Sequence, residues 1–209
     1  MTYSFLNTKK PSIKICGLKT EEEVDVAIGA GADAIGFVFA EHSPRFIDRS
    51  HAERLLLQLP PEIMPVAVLQ NYGDLHDFSD WPGWVQLCGD ETEDMISTSP
   101  RPVIRALQWD SEKICALDRS SHIEAILIDG STGGLGEMFD LDALLAIKEK
   151  LSKPIIVAGG LTPTNVRDVV LKLQPAAVDV SSGIEVSRGV KDPTLICEFI
   201  EAAIASRST

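Results

Sequence analysis

The chain has 209 residues, 44% hydrophobic and 24% charged, and 19 Lys and Arg against 31 Asp and Glu leave a formal net charge of −12. That is ordinary globular composition, and so acidic a surface repels nucleic acid and anionic membrane. No apolar run approaches the ~18 residues of a membrane span, and Met1 to Ser12 lacks the apolar stretch of a signal peptide. Cys16, Cys88, Cys115 and Cys197 show neither zinc-ligand spacing nor a disulfide framework, so neither metal nor disulfide is expected and a cytoplasmic location fits.

Short, mostly β-branched apolar runs recur from end to end. In chain order they are Ile13–Cys16, Ala34–Phe39, Val66–Leu69, Trp84–Cys88, Val103–Leu107, Ala125–Ile128, Ile155–Ala158 and Ala176–Val180. Runs this short and unbroken suit strands buried on both faces of a parallel sheet. Helix-like segments alternate with them. Glu21–Ala30 has an acidic first turn, and Ser50–Leu59 stops at Pro60-Pro61. Asp140–Leu151 spaces its apolar residues helically. Pro163–Leu173 reads as a helix with Thr162 as N-cap, and Asp192–Ala205 closes the chain. Between Asn71 and Gly83 the glycines and Pro82 leave room for about one helical turn, so the third helix is predicted to be shortened. Eight βα units of about 26 residues predict an α/β fold, a (β/α)8 TIM barrel. It is read as one domain over residues 1–209, with 1–11 an N-terminal extension; an open doubly wound sheet is the rival.

In such barrels chemistry sits where the strands end. Two of those ends stand out. Gly159-Gly160 after the seventh strand and Ser181-Ser182-Gly183 after the eighth are adjacent glycine-bearing loops, whose backbone N–H groups suit a phosphate. Cys16 and Asp129, ending the first and sixth strands, offer a thiol and a carboxyl to one pocket, an acid/base pair if their proton affinities are held apart. A thiol needs a lowered pKa to act as base. Lys14 falls on the same strand face as Cys16 and is expected to favour its thiolate, with Asp179 on the last strand as the partner of Lys14.

A longer set of motifs extends this reading. It comprises Lys14-Ile-Cys-Gly-Leu-Lys-Thr20, Gly31-Ala-Asp-Ala-Ile-Gly-Phe-Val-Phe39, Ser43-Pro-Arg-Phe46, Val85-Gln-Leu-Cys-Gly-Asp-Glu91 and Leu127-Ile-Asp-Gly130. It continues with Gly133-Gly-Leu-Gly136, Phe139-Asp140, Ala158-Gly-Gly-Leu-Thr-Pro163, Asn165-Val166, Val178-Asp-Val-Ser-Ser-Gly-Ile-Glu185 and Gly189-Val-Lys-Asp192. In this order, from about Ile13 to Phe199, the set resembles the phosphoribosylanthranilate isomerase family, cofactor-independent (β/α)8 enzymes of tryptophan biosynthesis.

The resemblance implies an Amadori rearrangement of N-(5-phosphoribosyl)anthranilate, with Cys16 as general base and Asp129 as general acid. It implies that Arg45 pairs with the anthranilate carboxylate and that Gly159, Gly160, Ser181, Ser182 and Gly183 hold the phosphate. Gly133–Gly136 would form a lid. No cofactor is implied, and the partner is a small phosphorylated molecule; the chain would be a monomer or homodimer. Departures are Cys88 where the family commonly has histidine, Leu135 where a small hydroxyl residue is usual, and Gly130 where serine or threonine is commoner. Two alternatives remain: a non-catalytic barrel that binds phosphate sugars, and a broad-specificity isomerase serving both histidine and tryptophan pathways. The latter generally places aspartate where this chain has Cys16.

Overall fold

All eight apolar runs form strands: β1 (Ser12–Cys16), β2 (Ala34–Val38), β3 (Met64–Leu69), β4 (Trp84–Leu87), β5 (Val103–Gln108), β6 (Ala125–Asp129), β7 (Ile155–Ala158) and β8 (Ala177–Val180). Each pairs in parallel with the next, and β8 returns to β1 over Ser12–Ala177 through Ile15–Val180, closing the barrel. The molecule is described by a computed structural model covering residues 5, 6, 10–130 and 141–205. The motif Gly133–Gly136 and Phe139-Asp140 therefore lie outside the described residues.

Closure explains the unbroken apolar runs. One set of strand side chains, including Ile15, Phe37, Leu69, Ile126 and Val157, packs outward under the helices. The alternate set, including Val38, Met64, Val66, Ile104, Leu127 and Ile156, fills the barrel interior. Both faces are apolar because neither meets water, and each fully buried aliphatic side chain contributes about 1.5–3 kcal/mol. Near the strand N-termini, Phe5 packs edge-on against Trp84 with ring centroids 5.9 Å apart, and its carbonyl accepts from the Ser12 hydroxyl. Toward the other end the interior turns polar, with Lys14, Gln86 and Asp179 all buried.

The helices follow local signals where those signals are undisturbed. Helix α1 (Glu21–Ala30) begins at a capping box: Thr20 accepts from the Glu23 N–H, Glu23 accepts from the Thr20 N–H, and Gly31 ends the helix in the left-handed region. Such a cap contributes about 1 kcal/mol. Helix α2 (Arg49–Leu56) is capped by Asp48 and stops short of the expected Leu59, its last residues unwinding into a turn. The third crossover is a single 3-10 turn, Leu75–Phe78. Phe37, Phe39, Tyr72, Phe78 and Trp81 cluster edge-to-face and cover the strands there in place of a helix.

The remaining helices are α3 (Glu93–Ser97), α4 (Ser111–Leu117), α5 (Leu141–Lys148), α6 (Val166–Leu173) and α7 (Pro193–Ala205), the last packing on α1. Among the described residues no helix is long and apolar enough to cross a membrane. Thr162 is not the cap of α6, as expected from sequence. Residues 163–165 form a turn and Asn165 takes the N-cap position without a side-chain cap bond, its side chain instead accepting from the Thr162 N–H and donating to the Gly160 carbonyl, both at 2.8 Å. A short hairpin after β8 was also not foreseen, β9 (Glu185–Ser187) and β10 (Val190–Lys191), turned at Gly189.

Candidate active site

A cavity of about 610 Å³ opens at the carboxyl ends of β6, β7 and β8. Its walls include Arg45, Asp129, Gly159, Gly160, Ser181, Ser182, Gly183 and Glu185, so seven of the eight residues expected from sequence share one space. Gly159 and Gly160 have φ of 76° and 68°, the left-handed region in which a side chain is strained. Asn165 braces that turn from behind. Gly183 packs so close to the Leu161 carbonyl that any side chain there would collide with it. The two loops are thus held against each other with their backbones bare, as anion binding by N–H groups requires.

The eighth residue, Cys16, is not among the residues that line this cavity; it is 6% exposed and faces the barrel interior. Its carbonyl accepts from the Ser181 hydroxyl at 3.1 Å, tying the end of β1 to the loop after β8. Two residues back, the Lys14 ammonium donates to Asp179 at 2.8 Å, and both side chains are buried. The register sets these two residues directly opposite one another, as expected. On the neighbouring strand Gly36 leaves a gap: a Cβ there would lie 2.8 Å from the Cys16 Sγ and 3.1 Å from the Lys14 Nζ, so thiol and ammonium meet in that space.

The electrostatics correct one expectation. Burial pushes the Cys16 thiol above its ordinary value of 9.0; Lys14 and Lys191 pull it down, but Asp179 works against them. Lys14 favours the thiolate as expected, yet does not overcome the loss of solvation. For Lys14 itself the balance runs the other way. Burial lowers the ammonium's pKa, but Asp179 and Cys16 more than restore it, and the group stays charged.

Asp129 ends β6, in register with Gln108 on β5 and Ala158 on β7. It is half-buried and reaches the same mouth as Cys16 from the far side of β7 and β8. Arg45 enters from the loop after β2, its stem lying on the Gly17 backbone. It is not the open receptor the sequence suggests. One edge is already held: Nε donates to Glu185 Oε1 at 2.7 Å and Nη2 to Oε2 at 2.9 Å. Glu185 and its second partner Lys191 were not singled out from sequence, although both stand within the motifs Val178–Glu185 and Gly189–Asp192. Cys88 is pushed up to about 12 by burial, although Gln86 donates to its Sγ at 3.3 Å.

Barrel and cavity define the class: a (β/α)8 protein built around a polar pocket on its last crossovers, of a size for a phosphorylated sugar. Comparison with known proteins narrows it. A family model described as N-(5'-phosphoribosyl)anthranilate isomerase matches residues 13–202. An enzyme of that name from Marinomonas sp. (strain MWYL1) is 40% identical over 203 residues, covering 91% of this chain and 97% of the relative. The crystal structure of phosphoribosyl anthranilate isomerase from Thermotoga maritima superposes with a TM-score of 0.85 at 32% identity, covering 93% of this chain and 99% of that one. A further crystal structure of such an isomerase, in complex with reduced 1-(o-carboxyphenylamino)-1-deoxyribulose 5-phosphate, has a TM-score of 0.82 at 30% identity with the same coverage. The chain belongs to the N-(5'-phosphoribosyl)anthranilate isomerase family.

Proposed function

We propose that this chain isomerises N-(5-phosphoribosyl)anthranilate to 1-(2-carboxyphenylamino)-1-deoxyribulose 5-phosphate, a step of tryptophan biosynthesis, with Asp129 as general acid and Cys16 as general base. The observation that carries the assignment is the shared cavity. Asp129, Arg45 and the two glycine-bearing loops line it together, and the end of β1 that carries Cys16 is hydrogen-bonded to the loop after β8.

The phosphate rests on the backbones of Gly159, Gly160, Ser181, Ser182 and Gly183 and on the Ser182 hydroxyl. Asp129 gives its proton to the furanose ring oxygen as the C1′–O bond breaks, and the nitrogen lone pair forms a Schiff base at C1′. Cys16 thiolate removes the C2′ proton, and the C–H electrons flow into the imine to give an enolamine, which tautomerises to the ketone. The imine is the electron sink, so a thiol and a carboxyl suffice for the proton transfers. Lys14 stands beside the thiol and counters its loss of solvation. Arg45 takes the aryl carboxylate. A phosphorylated metabolite as substrate and the thiol base fit a reducing cytoplasm.

Turnover of enzymatically generated phosphoribosylanthranilate, followed by the loss of its fluorescence, tests the assignment. Catalysed decay that depends on Cys16 and Asp129 is the expected result. Binding without decay would make the chain a phosphate-sugar binder instead. Comparable turnover of the histidine-pathway aminoaldose would make it the broad-specificity enzyme.

A further inference from the structure

The Glu185 carboxylate is saturated. Oε1 accepts from Arg45 Nε and from Lys191 Nζ, at 2.7 and 2.8 Å; Oε2 accepts from Arg45 Nη2 and from the Gly189 N–H, at 2.9 and 3.0 Å. Lys191 is fully committed as well. Its side chain has no exposure, and besides Glu185 it donates to the Ser181 carbonyl at 2.8 Å and the Ser181 hydroxyl at 3.2 Å. Burial raises the Glu185 pKa, but these four donors more than reverse that and hold it down at about 2, so it stays an anion throughout the working range.

Arg45 is committed along one edge only. Glu185 takes the side formed by Nε and Nη2, while among the described residues Nη1 makes no hydrogen bond. A guanidinium has a second two-pronged edge, end-on, between Nη1 and the remaining proton of Nη2. With the stem packed on Gly17 and the side edge gripped, the ring of contacts leaves that end-on fork as the part of Arg45 available to the cavity it lines.

We propose that Glu185, itself anchored by Lys191 to the Ser181 loop, is the positioning residue that fixes the plane of Arg45 so that its end-on fork receives the substrate's aryl carboxylate. The proposal rests on the assigned reaction and deepens it. Through Ser181 the same network joins the phosphate seat to the carboxylate receptor, so the distance between the two anionic ends of the ligand is set by one hairpin, residues 185–191.

The test measures affinity for two probes: the reduced product carrying its 2-carboxyl, and the otherwise identical phenylamino compound lacking it. Glu185→Gln is expected to weaken the carboxylate probe about 10–100-fold and its counterpart less than about threefold. In turnover KM rises by a similar factor while kcat falls less than about threefold. Adding Glu185→Gln to Arg45→Ala should cost little beyond Arg45→Ala alone, since the glutamate acts through the arginine. Lys191→Met, with folding checked by circular dichroism, should weaken both probes, since it also frees the Ser181 loop, and the carboxylate probe by the larger factor. Equal weakening of both probes, or additive losses in the double variant, would overturn the proposal and leave Glu185 a wall of the site. Because affinity is read without catalysis, a chain that discriminates between the probes but does not turn over substrate would refute the assigned reaction and not this role. Binding of neither probe would refute both.

Discussion

Two arginines stand at the barrel mouth, each gripped by a buried glutamate, and they differ in what their donors are left to do. On the β3–β5 side, Arg105 donates to the Leu87 and Gly89 carbonyls at 2.9 and 2.7 Å and to Glu91 at 3.0 Å. Glu91 in turn accepts from the Asn71 and Gly89 N–H groups. That arginine is spent on main chain and staples three strand ends together. On the β8 side, Arg45 gives one edge to Glu185 and keeps the other over the cavity. An ion pair of the same composition is a brace in one place and a receptor in the other, and the end-on fork tells them apart: in Arg105 both Nη1 and Nη2 are held, while in Arg45 Nη1 makes no hydrogen bond among the described residues.

Variants should divide along that line. The largest effects belong to the proton-transfer pair. Cys16→Ser and Asp129→Asn are each expected to lower kcat about 10²–10⁴-fold with melting temperature nearly unchanged; near-native turnover would remove that residue from its role. Next come the arginines. Arg105→Met strands the Glu91 charge and should cost about 3–5 kcal/mol of stability in urea unfolding, while kcat/KM per folded molecule holds. Arg45→Ala leaves Glu185 paired with Lys191 and should do the reverse, lowering kcat/KM about 10–100-fold at a smaller cost in stability. If both variants lost stability and activity alike, the distinction between brace and receptor would collapse.

The pH profile sharpens the comparison further. The base works deprotonated and its pKa is raised, so alkylation of Cys16 by iodoacetamide, which reads the thiolate alone, should climb about tenfold per unit through neutrality and toward 9. A plateau reached below about pH 7 would contradict the burial of the thiol. The smallest effect is expected at the departure from the family pattern. Cys88 borders a second cavity of about 550 Å³, which has room for an imidazole, so Cys88→His should change turnover by less than about threefold.

What could be read from sequence divides on similar physical grounds. The eight strands were legible because a closed barrel buries both strand faces and writes that into unbroken runs such as Ile155–Ala158. Helix α1 was legible because its cap, Thr20 with Glu23, is local. The start of α6 was not. Proline after Thr162 is a good local start signal, but Asn165 folds its side chain back onto Thr162 and Gly160, a competing local contact that the cap rules do not include, and the helix starts three residues later. The Lys14–Asp179 pair followed from strand alternation alone. The raised thiol did not, because burial depends on how β8 and the Arg45 loop close over β1. The hairpin went unseen because its strands are two and three residues long and mostly polar. With it went Glu185 and Lys191, although the motifs containing them were in view.

The central claim is that a thiol and a carboxyl act on one ribose whose phosphate is held by the last two crossovers. A crystal structure of this chain with the reduced product bound tests it most directly. The expected complex has the phosphate on the Gly159-Gly160 and Ser181–Gly183 backbones, the C2 carbon about 3–3.5 Å from the Cys16 Sγ, and the Asp129 carboxyl within hydrogen-bond reach of the sugar oxygen it protonates. A phosphate seated elsewhere, or a sugar whose C2 lies well beyond reach of the thiol, would contradict it.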